Sequence, residues 1–243
     1  MAADPAPRDA SSDGVPWPED LVSDFEDPTA AIVLRLGWPP RNGSWYTYND
    51  ASSKCTQTPK AAAAGTKPAT YVGATPPSPS PGPSGGRALH AQWKGCSTWG
   101  AGIGADFNAA MIFDGTVYTG PKVAYDMHSW PGVTFWAMAT ANTDVNLRVQ
   151  MPMTATLSIA DGGTCDEADA GAGRCGDHWG QTVTIAAGSW KRVDVRFADP
   201  SFRQTGKGAA IPWDPTDVTG VQIQSIDVNQ TYDFWIDDVY LAR

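Results

Sequence analysis

Positive charge is scarce in this chain: 17 Lys and Arg stand against 26 Asp and Glu in 243 residues, a net charge of −9. A protein that grips a phosphate backbone needs a basic footprint that displaces counterions, and an anionic membrane surface asks for the same. We therefore expect neither nucleic acid nor a membrane as partner. Long apolar runs are also missing. The most apolar stretch, Ala30 to Leu36, is strand-sized and far short of the ~20 residues of a membrane-spanning helix. Histidine is limited to His90, His128 and His178, and no Cys-x-x-Cys occurs, so zinc-ligand spacings are absent. Apolar periodicity of the helical kind is absent as well.

An apolar fraction of 42% can bury a core, and the length suits a single all-β domain. Residues 1–20, MAADPAPRDASSDGVPWPED, have no basic segment followed by an apolar one and read as a disordered leader ahead of a domain spanning 21–243. Residues 56–86 contain seven prolines and no apolar alternation, whereas alternating segments lie on both sides. This is the pattern of a loop insertion within one domain. The four cysteines allow three pairings. Cys165 and Cys175 bracket a short Gly/Ala-rich loop, which leaves Cys55 with Cys96 at the base of the insertion. Two disulfides imply a secreted or cell-surface protein.

Period-two alternation bounded by Gly, Pro, Asn and Asp predicts strands at 31–36, 44–48, 87–94, 98–107, 133–139, 145–151, 181–186, 190–197, 220–227 and 232–242. The fold class that follows is all-β, a two-sheet antiparallel sandwich of the jelly-roll kind. In VTFWAMA, Val133, Phe135, Ala137 and Ala139 share a face; in VNLRVQM, Val145, Leu147, Val149 and Met151 do. Folding the chain at Thr140–Asp144 pairs the two as a hairpin. The outward face then sets Thr134 opposite Gln150, Trp136 opposite Arg148, and Met138 opposite Asn146.

An indole beside a guanidinium and amides suits a sugar, with an aromatic face for C–H groups and planar forks for vicinal hydroxyls. Arg192, Asp194 and Arg196 alternate with Val193, Val195 and Phe197, and Gln222 and Gln224 alternate with Val221 and Ile223. The alternative for each strand is an ordinary solvated face with cross-strand ion pairs. Recurrence on several strands favours a groove. Gly100, Gly102 and Gly104 form a side-chain-free stripe, either a groove floor or a seat for a neighbouring loop. His128, in MHSWPG, falls in a loop able to line a cleft mouth.

If Phe234 and Ile236 face the core, Asp238 continues on their face, and a buried carboxylate must be protonated, paired or bound to metal. Asp24, Glu26 and Asp27 lie near the other end of the chain. Oxygen ligands from both ends suit Ca²⁺, and exposed turn acids are the competing reading.

The sequence resembles bacterial carbohydrate-binding modules with a galactose-binding-like jelly roll, nearest to family 11 and also families 4 and 22. The points of resemblance, in order over roughly residues 20–243, begin with Phe25-Glu26-Asp27, Gly86-Arg87-Ala88-Leu89 and Trp99-Gly100-Ala101-Gly102. Tyr125-Asp126, Gly132 to Ala137, Trp190 to Val193, and Trp235-Ile236-Asp237-Asp238-Val239 complete them. The resemblance implies a structural Ca²⁺ held by Glu26 and Asp238. It also implies a groove that binds a β-glucan chain without chemistry, in which Arg148 and Gln150 face the sugar and Asp177 and His178 line the cleft.

Three classes of function are compatible with these features. A glycoside hydrolase needs two carboxyls across a cleft, and the stripe offers only Asp194 clearly. A lyase using His and Tyr needs fewer groups. A protein-interaction face would also favour Trp and Arg. The reading adopted is a monomeric, non-catalytic, secreted module for polysaccharide, with Trp136, Asn146, Arg148, Gln150, Arg192, Asp194, Arg196, Gln222, Gln224, His128, Asp177 and His178 as its sugar-facing set.

Overall fold

The computed structural model describes residues 20–242 except 27–30, 34, 36–38, 60–74, 79–80, 83–85, 109–111, 114–117, 120–121, 141–142 and 171–174. In chain order the strands are β1 (Leu21–Ser23), β2 (Trp45–Asn49), β3 (Thr56–Thr58), β4 (Leu89–Lys94), β5 (Ala101–Asp106), β6 (Ile112–Phe113) and β7 (Tyr118–Thr119). They continue with β8 (Gly132–Ala139), β9 (Val145–Met151), β10 (Trp179–Ile185), β11 (Lys191–Arg196), β12 (Gly220–Ser225) and β13 (Tyr232–Ala242). A four-residue helix, α1 (Glu167–Ala170), sits in the loop closed by Cys165 and Cys175.

The strands form two antiparallel sheets. The back sheet has the order β11-β8-β13-β4-β3 with β1 also on β13, and the front sheet has the order β10-β9-β12-β5-β2. β6 and β7 pair with each other. The core lies between the sheets. Val133, Phe135, Ala137, Phe234, Ile236, Leu89 and Trp93 enter it from the back, and Leu147, Val149, Met151, Ile223, Ile103 and Trp45 from the front. Both expected disulfides are present, Cys55–Cys96 and Cys165–Cys175.

One expectation about pairing is overturned. The apolar faces of 133–139 and 145–151 are both buried, but β8 pairs with β11 and β13, whereas β9 pairs with β10 and β12. The two segments belong to different sheets. Alternation specifies which face is buried, not which strand is the neighbour. The connecting residues Thr140 to Asp144 also lack the Asn-Gly or Asp-Gly of a tight hairpin. The outward residues of β8 and β9 therefore emerge on opposite outsides of the sandwich.

Smaller corrections follow from the same maps. Within 31–36, Ala31 and Arg35 make isolated bridges to Ser44 and Arg41 in place of a strand, and residues 34 and 36 lie outside the described residues. Of the expected leader, 1–19 lie outside the described residues, but Asp20 is buried and accepts the Trp130 indole N–H at 2.9 Å. The insertion begins with strand β3. Its later part, as far as described, lies on the outer face of the back sheet. Pro76 there is buried, the Ser78 carbonyl accepts the Trp190 indole N–H at 2.8 Å, and Gly82 abuts Trp136 and Asp238.

Candidate functional site

The outward residues of the front sheet fall into two rows that run across the strands. The first row is Tyr46, Gly104, Gln222, Gln150 and Gly180. The second is Tyr48, Gly102, Gln224, Arg148 and Thr182. β5 contributes no side chain to this face at either glycine, so a furrow opens along it. The two tyrosines on the edge strand lean across and fill it. A methyl group on Gly102 would lie 2.6 Å from Tyr48 Cζ, and one on Gly104 would lie 2.8 Å from Tyr46 Cζ. Only glycine lets these rings lie on the strand, so at Gly102 and Gly104 the stripe seats side chains of the neighbouring strand, whereas Gly100 lies against Ser225.

Across the furrow the phenols meet three amides. Gln222 Nε2 donates to Tyr46 Oη at 2.8 Å, and Tyr48 Oη donates to Gln222 Oε1 at 3.3 Å and Gln224 Oε1 at 3.4 Å. Gln150 Nε2 donates to Gln222 Oε1 at 3.0 Å and Gln224 Oε1 at 2.8 Å. Burial raises the Tyr48 pKa, so the phenol stays a neutral donor. The floor is thus a fixed, uncharged lattice of rings and amide forks.

Trp99 extends the aromatic stripe. Its ring stacks on Tyr48 with centroids 5.9 Å apart and is 43% exposed. The loop beneath it is tied down by Asp50, whose Oδ2 accepts the backbone N–H groups of Thr98 at 2.7 Å, Trp99 at 3.1 Å and Gly100 at 3.0 Å. Burial alone would raise the Asp50 pKa, but hydrogen bonds from Ser52, Thr98 and Gly100 hold it well below the usual carboxylate range. At the opposite end of the stripe, Lys122 Nζ sits 4.8 Å from the Tyr46 ring centroid and pairs with the buried Asp106.

Five of the expected sugar-facing residues lie on this face. Arg148, Gln150, Gln222 and Gln224 belong to the two rows, and Asn146 lies beyond them, accepting from Thr184 Oγ1 at 2.7 Å. Arg148 is held at the rim, donating through Nη2 to the backbone carbonyls of His178 at 3.1 Å and of Arg203. His178 supports it from below: its ring is buried, lies 2.7 Å from Thr156 Oγ1, and has its pKa lowered by burial to about 4. Asp177 anchors the adjoining loop by accepting from the backbone of Thr205, Gly206 and Gly208. His178 and Asp177 therefore brace the rim and present no side chain to the trough.

The others lie elsewhere. Trp136 is on the outer face of the back sheet, beside Arg192 and Asp237 and beneath Gly82. Arg192 and Arg196 share that face and flank Asp194 at 3.2 and 3.7 Å, the ordinary ion-paired surface weighed as the alternative. His128 is in an exposed loop, bonded to Asp126 at 2.7 Å. Trp136 and Arg148 share no surface. Tyr46 and Tyr48 were not among the expected residues, although the alternation in WYTYN already turns both outward from Trp45 and Thr47.

The residues expected to hold a cation lie on the back. Asp238 has φ of 50° in a bulge of β13 that shifts the register between Asp237 and Tyr240. After the bulge Val239 and Leu241 enter the core, so Asp238 does not continue the face of Phe234 and Ile236; it turns toward Gly82 and is buried there. β1 pairs with this part of β13, which brings in Asp24 and Glu26. Tyr240 senses the gathered charge. Its phenol is pushed up to about 12 by burial and then by Asp238, Asp24 and Asp237. Glu26 Oε1 accepts the Arg87 N–H at 2.9 Å. Among the described residues, the trio of side-chain ligands within reach of one ion is Asp50 with Cys55 and Cys96, and those two sulfurs are joined to each other.

These two sheets define an antiparallel β-sandwich whose front face carries rows of tyrosines and glutamines, with Gln150 and Gln222 buried among them. Comparison with solved structures finds carbohydrate-binding modules among the chains similar to this one. The chain is similar to the family 11 carbohydrate-binding module of a cellulosomal cellulase from Clostridium thermocellum, at 16% identity over 91% of this chain and 92% of that one, with a TM-score of 0.45. A structure of the family 11 module of that organism with a β-1,3-1,4-mixed-linked tetrasaccharide matches at 15% identity over 92% and 94%, TM-score 0.45. The N-terminal cellulose-binding domain of a Cellulomonas fimi β-1,4-glucanase matches at 13% identity over 81% and 86%, TM-score 0.30. No protein-family model matches the chain, and no curated protein matches it.

Proposed function

We propose that the chain is a non-catalytic module that binds polysaccharide, a β-glucan, along the front trough. The observation that carries this reading is the laying of Tyr46 and Tyr48 over Gly104 and Gly102, locked to a lattice of three glutamines. Aromatic faces take the C–H faces of sugar rings, and amide forks take vicinal hydroxyls. Five strands at about 4.8 Å spacing make the rows roughly 19 Å long, room for a run of several rings. The binding groups are preformed, so little ordering cost falls on association.

A role without chemistry follows from the same face. Asp106, whose partner Lys122 sits over the Tyr46 ring, is buried and ion-paired, whereas glycoside hydrolysis needs an acid and a base across the bond. Two disulfides suit secretion or a cell surface. No helix among the described residues is long and apolar enough to cross a membrane. Native electrophoresis through gels cast with mixed-linkage β-glucan tests the reading. The protein is expected to be retarded and to release no reducing ends from the polymer. Unretarded migration would refute it, and release of sugar would make it an enzyme.

The proposal extends to a structural Ca²⁺ on the back. What supports it is donor chemistry: Glu26, Asp238, Asp24 and Asp237 offer oxygen alone, and Asp237 and Asp238 are each only 1% exposed, although no three of these acids lie within reach of one ion in the structure as it stands. Bound there, the ion would supply charge balance and no reaction. Chelation is expected to lower the melting temperature by several degrees and added Ca²⁺ to restore it. An unchanged melting curve would remove the ion from the account.

A further inference from the structure

A second hollow lies on the outer face of the back sheet, away from the trough. Its volume is about 280 Å³, and it is bounded by β3, β4 and β13 through Thr56, Thr58, Gln92, Lys94, Thr231 and Asp233. Gln57, Trp93 and Tyr232 also border it; the two rings belong to the core, and Gln57 Nε2 donates to the Gly102 carbonyl of the front sheet at 2.8 Å.

Its polar groups are held in place. His90 stacks on Trp235 with ring centroids 4.0 Å apart and planes within 4°, and its Nε2 meets Asp233 Oδ1 at 2.7 Å. Gln92 Nε2 donates to Asp233 Oδ2 at 2.7 Å. The carboxylate is thereby fixed as an acceptor with lone pairs to spare, because each oxygen takes more than one hydrogen bond. Burial would raise its pKa, yet hydrogen bonds from His90, Thr140 and Gln92 lower it, so it is ionised at neutral pH.

Lys94 brings donors alone, Asp233 acceptors alone, and the three threonines bring both. One ligand chemistry answers all of them: adjacent hydroxyls, each of which donates and accepts at once. The volume sits at the small end of ligand pockets and admits one ring, not a chain.

The geometry points to a second saccharide site in this hollow, one that takes a single neutral pyranose unit edge-on through hydrogen bonds to Asp233, Gln92 and Lys94. A few net hydrogen bonds without stacking correspond to millimolar affinity. The binding groups of the hollow are on the back sheet, and the test separates them from the front face. Cellobiose is titrated into isotope-labelled protein and backbone amide shifts are followed, in the wild type and in Trp99→Ala.

Saturable shifts at 56–58, 92–94 and 231–233, with a millimolar midpoint in both proteins, are the expected result. Asp233→Asn should weaken that midpoint about tenfold through loss of a charged hydrogen bond. Lys94→Ala, at an exposed position that leaves the fold intact, should also weaken it. Unmoved amides at these positions, or shifts that neither substitution changes, would overturn the proposal. Shifts confined to the hollow would leave it standing and count against the trough.

Discussion

The two outer faces of this sandwich carry similar raw material and put it to different ends. The front offers Tyr46, Tyr48, Trp99, Arg148 and three glutamines; the back offers Trp136, Trp190, Trp235, Met138, Arg192 and Arg196. On the front Tyr46 and Tyr48 rest on glycine and are half-buried, and Trp99 is exposed beside them. On the back Trp235 and Met138 are buried with Ala88, Trp190 packs against them, and the insertion crosses over Ser78 and Gly82. An aromatic side chain on a strand becomes a binding surface only where the rest of the chain leaves its outer side uncovered. Arginine follows the same rule. Arg148 is fixed at a rim by backbone carbonyls, whereas Arg192 and Arg196 are spent on Asp194.

The largest expected effect breaks the front face at its foundation. In Gly102→Val the new side chain collides with Tyr48 and with the Ile223 carbonyl, 2.9 Å from a Cβ placed there. The ring must lift and the amide lattice with it. Retention in β-glucan gels should vanish, a loss of a hundredfold or more in affinity. If the variant binds like the wild type, the trough is not the site.

Acid gives a smaller effect and again distinguishes the faces. The buried His178 has its pKa lowered to about 4 by burial, against an ordinary 6.5, despite the opposing influence of Asp177. Between those values the unfolded chain binds the proton more readily than the folded one. Stability is therefore complete above about pH 6.5 and declines as the pH falls toward 4, by about 3 kcal/mol at most. Asp50, Asp177 and Asp233 have lowered pKa values and release their contributions only at lower pH, below the ordinary carboxylate range. Melting temperatures at pH 7 and pH 4.5 should differ by several degrees, and His178→Gln should flatten that slope. An equally steep slope in the variant would place the sensitivity elsewhere.

Much of this was legible in the sequence. Alternation placed β2, β4, β5 and β8 to β13 and pointed out the core residues of β8, β9, β11 and β12, because burial on one face leaves a period of two in the chain itself; Trp45 of β2 and Tyr232, Val239 and Leu241 of β13 carried no such mark. The cysteines paired as their spacing suggested. Partner choice left no such trace. Val133 to Ala139 and Val145 to Met151 look like a hairpin because five residues separate them, yet the connection passes from one sheet to the other.

A hairpin would set Trp136 beside Arg148, whereas the crossing between sheets puts them on opposite outer faces. Arg148, Gln150, Gln222 and Gln224 are legible from alternation beside apolar neighbours, whereas Tyr46 and Tyr48 read as ordinary strand aromatics until Gly102 and Gly104 are seen beneath them. The coverage of Trp136 by residues more than 50 positions away, and the bulge that turns Asp238 outward, depend on long-range packing that no local pattern encodes.

The two faces each offer one indole for a decisive comparison. Trp99→Ala and Trp136→Ala should be run side by side with the wild type through mixed-linkage β-glucan gels, with melting temperatures alongside. Trp99→Ala should lose about tenfold or more in affinity at nearly unchanged stability. Trp136→Ala should bind as the wild type does and melt several degrees lower, since it removes about 2 kcal/mol of packing under the insertion. The reverse outcome, binding lost with Trp136 and kept without Trp99, would contradict the account.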